Sequence, residues 1–167
     1  MARTSFRQVS VTRPANTTDY TAKDAVGTAA ASGAVLKFPA ANSDAGRSGK
    51  VMSARLWKSS TGVTNDGFDL ALYHKLPTAT PADNAAPTTE HLNIADAGSY
   101  IGRINFNAAG VVLAGGIVYE GEGTIEPTGG LPFDTGGKGI IYGILETQST
   151  YTPASEEVFT ITLEIQQ

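Results

Sequence analysis

Three glutamates, Glu120, Glu122 and Glu126, stand interleaved with Gly121 and Gly123. Carboxylates two positions apart on an extended chain share a face, an arrangement a hard cation or a glycosidase pair would use. The same run also describes a solvated strand end whose charge guards a sheet edge against wrong pairing, and that is the reading adopted. The Gly46-Arg47-Ser48-Gly49-Lys50 run has the composition of a phosphate-binding loop but not its pattern. Position 44 is Asp where the motif needs Gly, and Val51 follows the lysine where it needs Ser or Thr. Gly137-Lys138 fails in the same way, with Pro132 in the glycine position and Gly139 after the lysine. Two histidines, His74 and His91, are too few for a multi-histidine metal site. His74, at the end of an apolar strand, reads as a rim or interface residue. The absence of cysteine excludes thiolate ligands, a cysteine nucleophile and disulfides. No Gly-x-Ser-x-Gly elbow occurs. Asn16-Thr17-Thr18 matches a glycosylation sequon, which has little weight without a secretory signal. The expectation is a chain without catalytic residues, cofactor or metal.

Charge is the more informative chemistry. Arg3, Arg7 and Arg13 all precede the first acid, Asp19, so the first eighteen residues are purely basic. An extended basic arm suits docking on an acidic protein surface, because the planar guanidinium fork binds carboxylates; the plain alternative is a frayed terminus. Tyr20 is one of two large anchors, with Val26, in the polar stretch 14–32. A stretch that long without a period often marks a functional or partner-bound loop, and the other reading of it is an irregular edge strand. Arg3, Arg7, Arg13 and Tyr20 are the candidate partner-binding residues.

The elements that would position them are strands. In Val158–Gln166, Phe159, Ile161, Leu163 and Ile165 occupy one phase, and Thr160, Thr162, Glu164 and Gln166 the other. This period of two is that of an antiparallel strand with one wet face. Similar alternation runs through Phe6–Arg13, Lys50–Lys58, Phe68–His74, Ile101–Phe106 and Ile140–Thr147, with shorter runs at Val35–Phe38, Val111–Leu113 and Ile117–Glu120. About eight strands separated by Gly-, Pro- and Thr-rich turns predict an all-β antiparallel sandwich, jelly-roll-like, with long loops and an extended N-terminal arm. It spans 1–167 as a single domain, with 1–13 as that arm or the first strand. Met52, Leu56, Leu70, Leu72, Ile144, Phe159, Ile161 and Leu163 are the expected core. The Asp66-Gly67 turn predicts that Lys50–Lys58 and Phe68–His74 form one hairpin, and the last two strands a second. Residues 76–99 read as an extended loop with a helical turn near 88–94, and 121–139 as a Gly/Pro-rich loop.

With 12 Lys+Arg against 16 Asp+Glu, the formal charge of -4 argues against nucleic acid as partner. No apolar run approaches the roughly 20 residues of a membrane helix, and the basic N-terminus lacks the apolar stretch of a secretory signal. The expectation is a soluble, intracellularly made protein, with neither a membrane nor a nucleic acid as partner.

Four stretches carry a resemblance. They are Val11-Thr12-Arg13-Pro14 with Asp19–Gly27; Phe68–Tyr73 running into Pro77 and Asp83-Asn84-Ala85-Ala86-Pro87; Tyr100-Ile101-Gly102-Arg103-Ile104; and Tyr151-Thr152-Pro153-Ala154-Ser155. Through them the chain resembles the capsid decoration, or cement, proteins of tailed bacteriophages. The resemblance implies a jelly-roll-like homotrimer on the capsid exterior of the virion, bound to the major capsid protein and clamping neighbouring capsomers, with no catalytic residues. A carbohydrate- or receptor-binding sandwich of a phage tail or fibre is the alternative, for which Trp57, Tyr73 and Tyr119 form the available aromatic platform.

Overall fold

The computed structural model describes residues 3–30, 33–39, 48–59, 67–78, 80–85, 96–107, 111–113, 118–126, 129–136 and 139–167. The elements are β1 (Thr4–Thr12), β2 (Ala25–Val26), β3 (Val35–Pro39), β4 (Ser48–Ser59), β5 (Phe68–Tyr73), β6 (Tyr100–Phe106), β7 (Val111–Leu113), β8 (Val118–Glu126), β9 (Leu131–Asp134), β10 (Ile140–Thr147) and β11 (Val158–Gln166). Every ladder is antiparallel. One sheet runs β1-β11-β4-β8, with β9 also on β4 and β7 on β8; the other runs β3-β10-β5-β6, with β2 beside β3 on β10. Strand β8 joins them: Val118–Glu122 pairs with β4 and Gly123–Glu126 with β6.

The long strands pair from the outside inward: β1 with β11, β3 with β10, β4 with β8 and β5 with β6. That is one long antiparallel hairpin wound around itself: apart from β5 and β6, which form its tip within one sheet, consecutive long strands fall in opposite sheets. This connectivity makes the sandwich a jelly roll. It also corrects two expectations. Strands β4 and β5 do not form a hairpin, because β4 lies between β11 and β8 while β5 lies between β10 and β6. Strands β10 and β11 likewise belong to different sheets. Turn chemistry reports where the chain reverses, not whether the two arms bond to each other.

Between the sheets, Leu56, Phe159, Ile161, Leu163 and Ile165 from the first meet Phe38, Leu70, Leu72, Ile104, Phe106 and Leu145 from the second, all with 0% exposure. Phe68 ties the layers together edge-on, its ring 5.4 Å from Phe159 and 5.5 Å from Tyr151. Full burial of each such side chain contributes about 1.5–3 kcal/mol. Ile144 is also buried, but on the opposite face of its sheet, in a second cluster with Ala25, Ala34, Ala71 and Tyr73.

Met52 departs from the expected core. It is 38% exposed, because the β4–β11 register shifts between Glu164 and Ile165: Glu164 opposes Ser53, but Ile165 opposes Val51. Met52 is the extra residue of a bulge, so Val51 and Ala54 both point inward and Met52 outward. The reading of 121–139 as loop is corrected as well. Strand β8 extends to Glu126, and β9 pairs Leu131–Asp134 with Val51–Ser48. Gly130 makes the entry to β9 possible: at φ +90° a β-carbon would lie 2.6 Å from Lys50 Cδ. Within 14–32, the edge-strand alternative holds in part, since β2 pairs with Leu145–Glu146. Asp66 of the proposed turn, residues 88–94 and His91 lie outside the described residues, as do residues 40–47 and Gly137-Lys138.

Leu56→Ala is expected to cost about 2–5 kcal/mol in denaturant unfolding. Met52→Ala should cost about 0.5 kcal/mol or less.

Candidate docking surface and the buried polar clusters

The four candidate partner-binding residues do not share a surface. Arg3 is exposed and its backbone closes the sheet edge against Gln167, with N–O distances of 2.6 and 2.9 Å. Residues 4–12 form β1, so the N-terminal region is the first strand of the sheet and not a free arm. Arg7 is half-buried and falls in the inward phase of β1 with Val9 and Val11. Arg13 and Tyr20 are interior: 2% and 0% exposed. Neither side chain is presented on the surface. The phase Val9, Val11, Arg13 explains it, because the inward face of β1 continues past its last rung and carries the guanidinium beneath the loops.

Arg13 is held there on every side. Its Nη2 lies 3.3 Å from Asp83 Oδ2 and 3.3 Å from Asn16 Oδ1, and its Nη1 donates to the Asn16 and Ala154 carbonyls at 3.4 and 3.3 Å. Its Nε donates to the Tyr20 hydroxyl, which donates to Asp83 Oδ1 at 2.5 Å. Asp83 Oδ1 also accepts the Gly27 amide at 2.9 Å. One carboxylate thereby fastens residues 13–27 to the 80–85 segment.

A second buried cation lies next to the first. Lys58 occupies the core phase of β4 after Ala54 and Leu56, and its side chain has 0% exposure. Its Nζ donates to the Tyr151 hydroxyl at 2.9 Å, sits 4.3 Å from the centroid of that ring, and is 3.7 Å from Glu157 Oε1. The Tyr151 hydroxyl donates to Glu157 Oε2. Tyr20 and Tyr151 join the two clusters: their backbones exchange hydrogen bonds of 2.9 and 3.2 Å, and their rings stack with centroids 6.0 Å apart. Burial, and then the neighbouring Asp83 carboxylate, push the Tyr20 hydroxyl well above the ordinary phenol range. Burial and Glu157 do the same to Tyr151. Both groups are neutral donors over the whole physiological range, not bases or nucleophiles. The arrangement has acids, cations and phenols within reach of one another, but the side chains that would do chemistry are covered.

On the second sheet's outer face Asp69 accepts from Lys23 at 2.7 Å and from Asn105 and Gln148 at 3.0 Å each, with Arg103 3.6 Å away. Burial would raise its pKa, but the Lys23 ammonium and the Gln148 amide outweigh burial and hold the carboxyl below its usual range. Tyr73, with 1% exposure, packs edge-on against Tyr100 at 5.6 Å. His74 donates from Nε2 to the Gly98 carbonyl at 2.9 Å. Among the described residues no cluster of His, Cys, Asp or Glu is arranged to hold a metal ion. The side chains of Tyr119, Glu120, Glu122 and Glu126 lie outside the described residues.

The accessible chemistry is on the outer face of the first sheet. Phe6, Ser53, Arg55, Trp57, Thr162 and Glu164 line an open groove of about 200 Å³, with Met52 exposed on the same face of β4. Of the aromatic platform expected from Trp57, Tyr73 and Tyr119, Trp57 is on this sheet and Tyr73 is buried on the other, while the Tyr119 side chain lies outside the described residues.

No family model matches the chain, and no curated protein matches it. Among solved structures it is similar to the X-ray structure of Tomato Aspermy Virus, with 12% identity and a TM-score of 0.34 over 98% of this chain and 78% of that one. It is similar to the 60-mer BFDV capsid protein at 15% identity and a TM-score of 0.35, over 99% and 93% of the two chains. It is also similar to Desmodium Yellow Mottle Tymovirus at 10% and 0.27, over 99% and 87%. Likeness at this level carries no argument about function, and the assignment of a jelly roll stands on the strand pairing alone.

Asp83→Ala would leave the Arg13 guanidinium covered and without its counter-ion. It is expected to lower unfolding free energy by about 3–5 kcal/mol, whereas Arg3→Ser should stay within about 0.5 kcal/mol. Denaturant titration of the two variants against the parent checks the contrast.

Proposed function

We propose that this chain is a virion structural protein that decorates a phage capsid, binding the shell of major capsid protein from outside as a homotrimer. The observation that carries the reading is the division of the molecule's chemistry. The Arg13 and Lys58 clusters are sealed inside as fasteners, while the first sheet presents a broad face of mixed character around Phe6, Met52, Arg55, Trp57 and Glu164. Such a face suits protein contact, since interface cores favour aromatic residues, Met and Arg. The jelly roll is an architecture that viral capsid domains use, and the resemblance to decoration proteins supports the same role. Docking of a symmetric oligomer on a symmetric shell multiplies weak contacts into a stable one. Arg3 contributes exposed charge at the end of this sheet's edge, an exposed pair being worth about 0–1 kcal/mol.

A second reading, glycan capture, is favoured by the Trp57 groove with its polar neighbours Ser53, Thr162 and Glu164. The two readings separate experimentally. Undecorated shells of the virus that encodes the chain should bind it saturably in co-sedimentation, with three copies per occupied position. Arg3→Ser should reduce that occupancy several-fold at low salt, by a margin that shrinks as salt rises, and Met52→Asp should reduce it at every salt concentration. Absence of binding to the shells, together with glycan binding that Trp57→Ala abolishes, would replace the first reading by the second.

A further inference from the structure

The free edge of β1 differs from the other sheet edges. Strand β1 pairs with β11 through nine consecutive residues with no register shift, and among the described residues β11 is its only partner. Its far side therefore presents a row of unpaired backbone donors and acceptors. Folded proteins guard such rows with short strands, proline, charge or a bulge. The opposite sheet's edge follows that rule: β2 has two residues, and β3 has five and ends at Pro39. Strand β1 does not. It has nine residues, no proline, no bulge, and Arg7 as its one charge. Phe6, on this same strand, is 66% exposed.

We propose that β1 pairs antiparallel with β1 of a second copy of this chain, about a two-fold axis through Gln8. A two-fold axis normal to the sheet keeps the faces aligned, so residues of equal phase oppose one another. Centring on Gln8 uses all nine residues of β1. It sets Gln8 against Gln8, Arg7 against Val9, Phe6 against Ser10, Ser5 against Val11 and Thr4 against Thr12. Moving the axis to Arg7 would place two guanidinium groups directly opposite each other, which is destabilising, and moving it to Phe6 shortens the ladder. With the axis at Gln8 the Phe6 ring gains the second copy's strand beside it, and the two first sheets become one continuous sheet. The occupant is a second copy because the strand complements itself; an edge built for an acidic foreign strand would carry more than one cation. The inference does not rest on the capsid reading, and its test uses the purified chain alone.

The chain has no cysteine, so single cysteines report without background. In this register Thr4 of one copy opposes Thr12 of the other, at a Cα separation of about 4.5–5.5 Å that a disulfide spans. Thr4 lies about 27 Å from Thr4 of the second copy, and likewise for Thr12. Thr4→Cys protein alone and Thr12→Cys protein alone should therefore not cross-link under mild oxidation. Their mixture should give a disulfide dimer, and Gln8→Cys should cross-link with itself. Introducing Gln8→Lys into both single-cysteine chains puts like charges on the axis and should abolish the cross-link. Since Gln8 is exposed in the monomer, the circular dichroism spectrum should stay that of the parent. A mixture that does not cross-link overturns the proposal and leaves a foreign strand as the occupant. Equal cross-linking of the mixture and of each chain alone would show unspecific collision and would also overturn it.

Discussion

Two cations inside the fold, Arg13 and Lys58, constrain everything around them. A charge removed from water must find a counter-ion and fill its hydrogen-bonding capacity, or several kcal/mol are lost. Arg13 meets this demand by drawing Asn16, Tyr20, Asp83 and the Ala154 carbonyl around its guanidinium. Lys58 meets it with Tyr151 and Glu157. Segments that would otherwise be loose connections, 13–27, 80–85 and 150–157, thus become parts of one polar plug. The stacked Tyr20 and Tyr151 rings form its centre.

The wound connectivity explains why the plug is needed. In a jelly roll each long connection leaves one sheet to reach the other, so the turns carry few ladder bonds of their own. The tip between β10 and β11 and the segment after β1 come together where the two sheets separate. Backbone pairing there consists of the Tyr20–Tyr151 bridge and isolated bonds from Arg13 to Glu157, Glu156 to Pro14, Lys23 to Thr147 and Thr147 to Asp24. Side-chain ion pairs supply the remaining cohesion. This frees the outer face of the first sheet from structural duty, and it is this face that carries the exposed aromatic and charged residues.

Much of this was legible in the sequence. The alternation in Phe159–Ile165 and Phe68–Leu72 placed both strands and their core faces correctly, because a period of two is a local property. Pairing partners were not legible: β4 and β5 are joined by turn chemistry yet pair with strands far away in sequence. The Met52 bulge was hidden because an extra residue leaves composition unchanged while reversing the phase that precedes it. Strand β9 was hidden by Gly129, Gly130 and Pro132, residues that usually mark turns. The interior role of Arg13 had a signal that was available. Val9, Val11 and Arg13 share one phase, as do Ala54, Leu56 and Lys58, and a cation in the apolar phase of a strand calls for a buried counter-ion. Tyr20 and Asp83 had no comparable local signal, since their meeting depends on two loops brought together by the fold.

The central claim is that the plug is sealed and structural, and an alkaline titration tests it directly. A phenol whose folded pKa is raised contributes stability below its unfolded value near pH 10, and that contribution is lost as pH rises above it. Phenolate absorbance and sheet circular dichroism should be followed together in the parent, in Tyr20→Phe and in Tyr151→Phe. The amplitude missing from each variant reports the deleted tyrosine. The account predicts that this amplitude appears only as the sheet signal collapses, above pH 10. Ionisation of Tyr20 or Tyr151 near pH 10 with the sheet signal intact would show that the hydroxyls are open to water, and would contradict it.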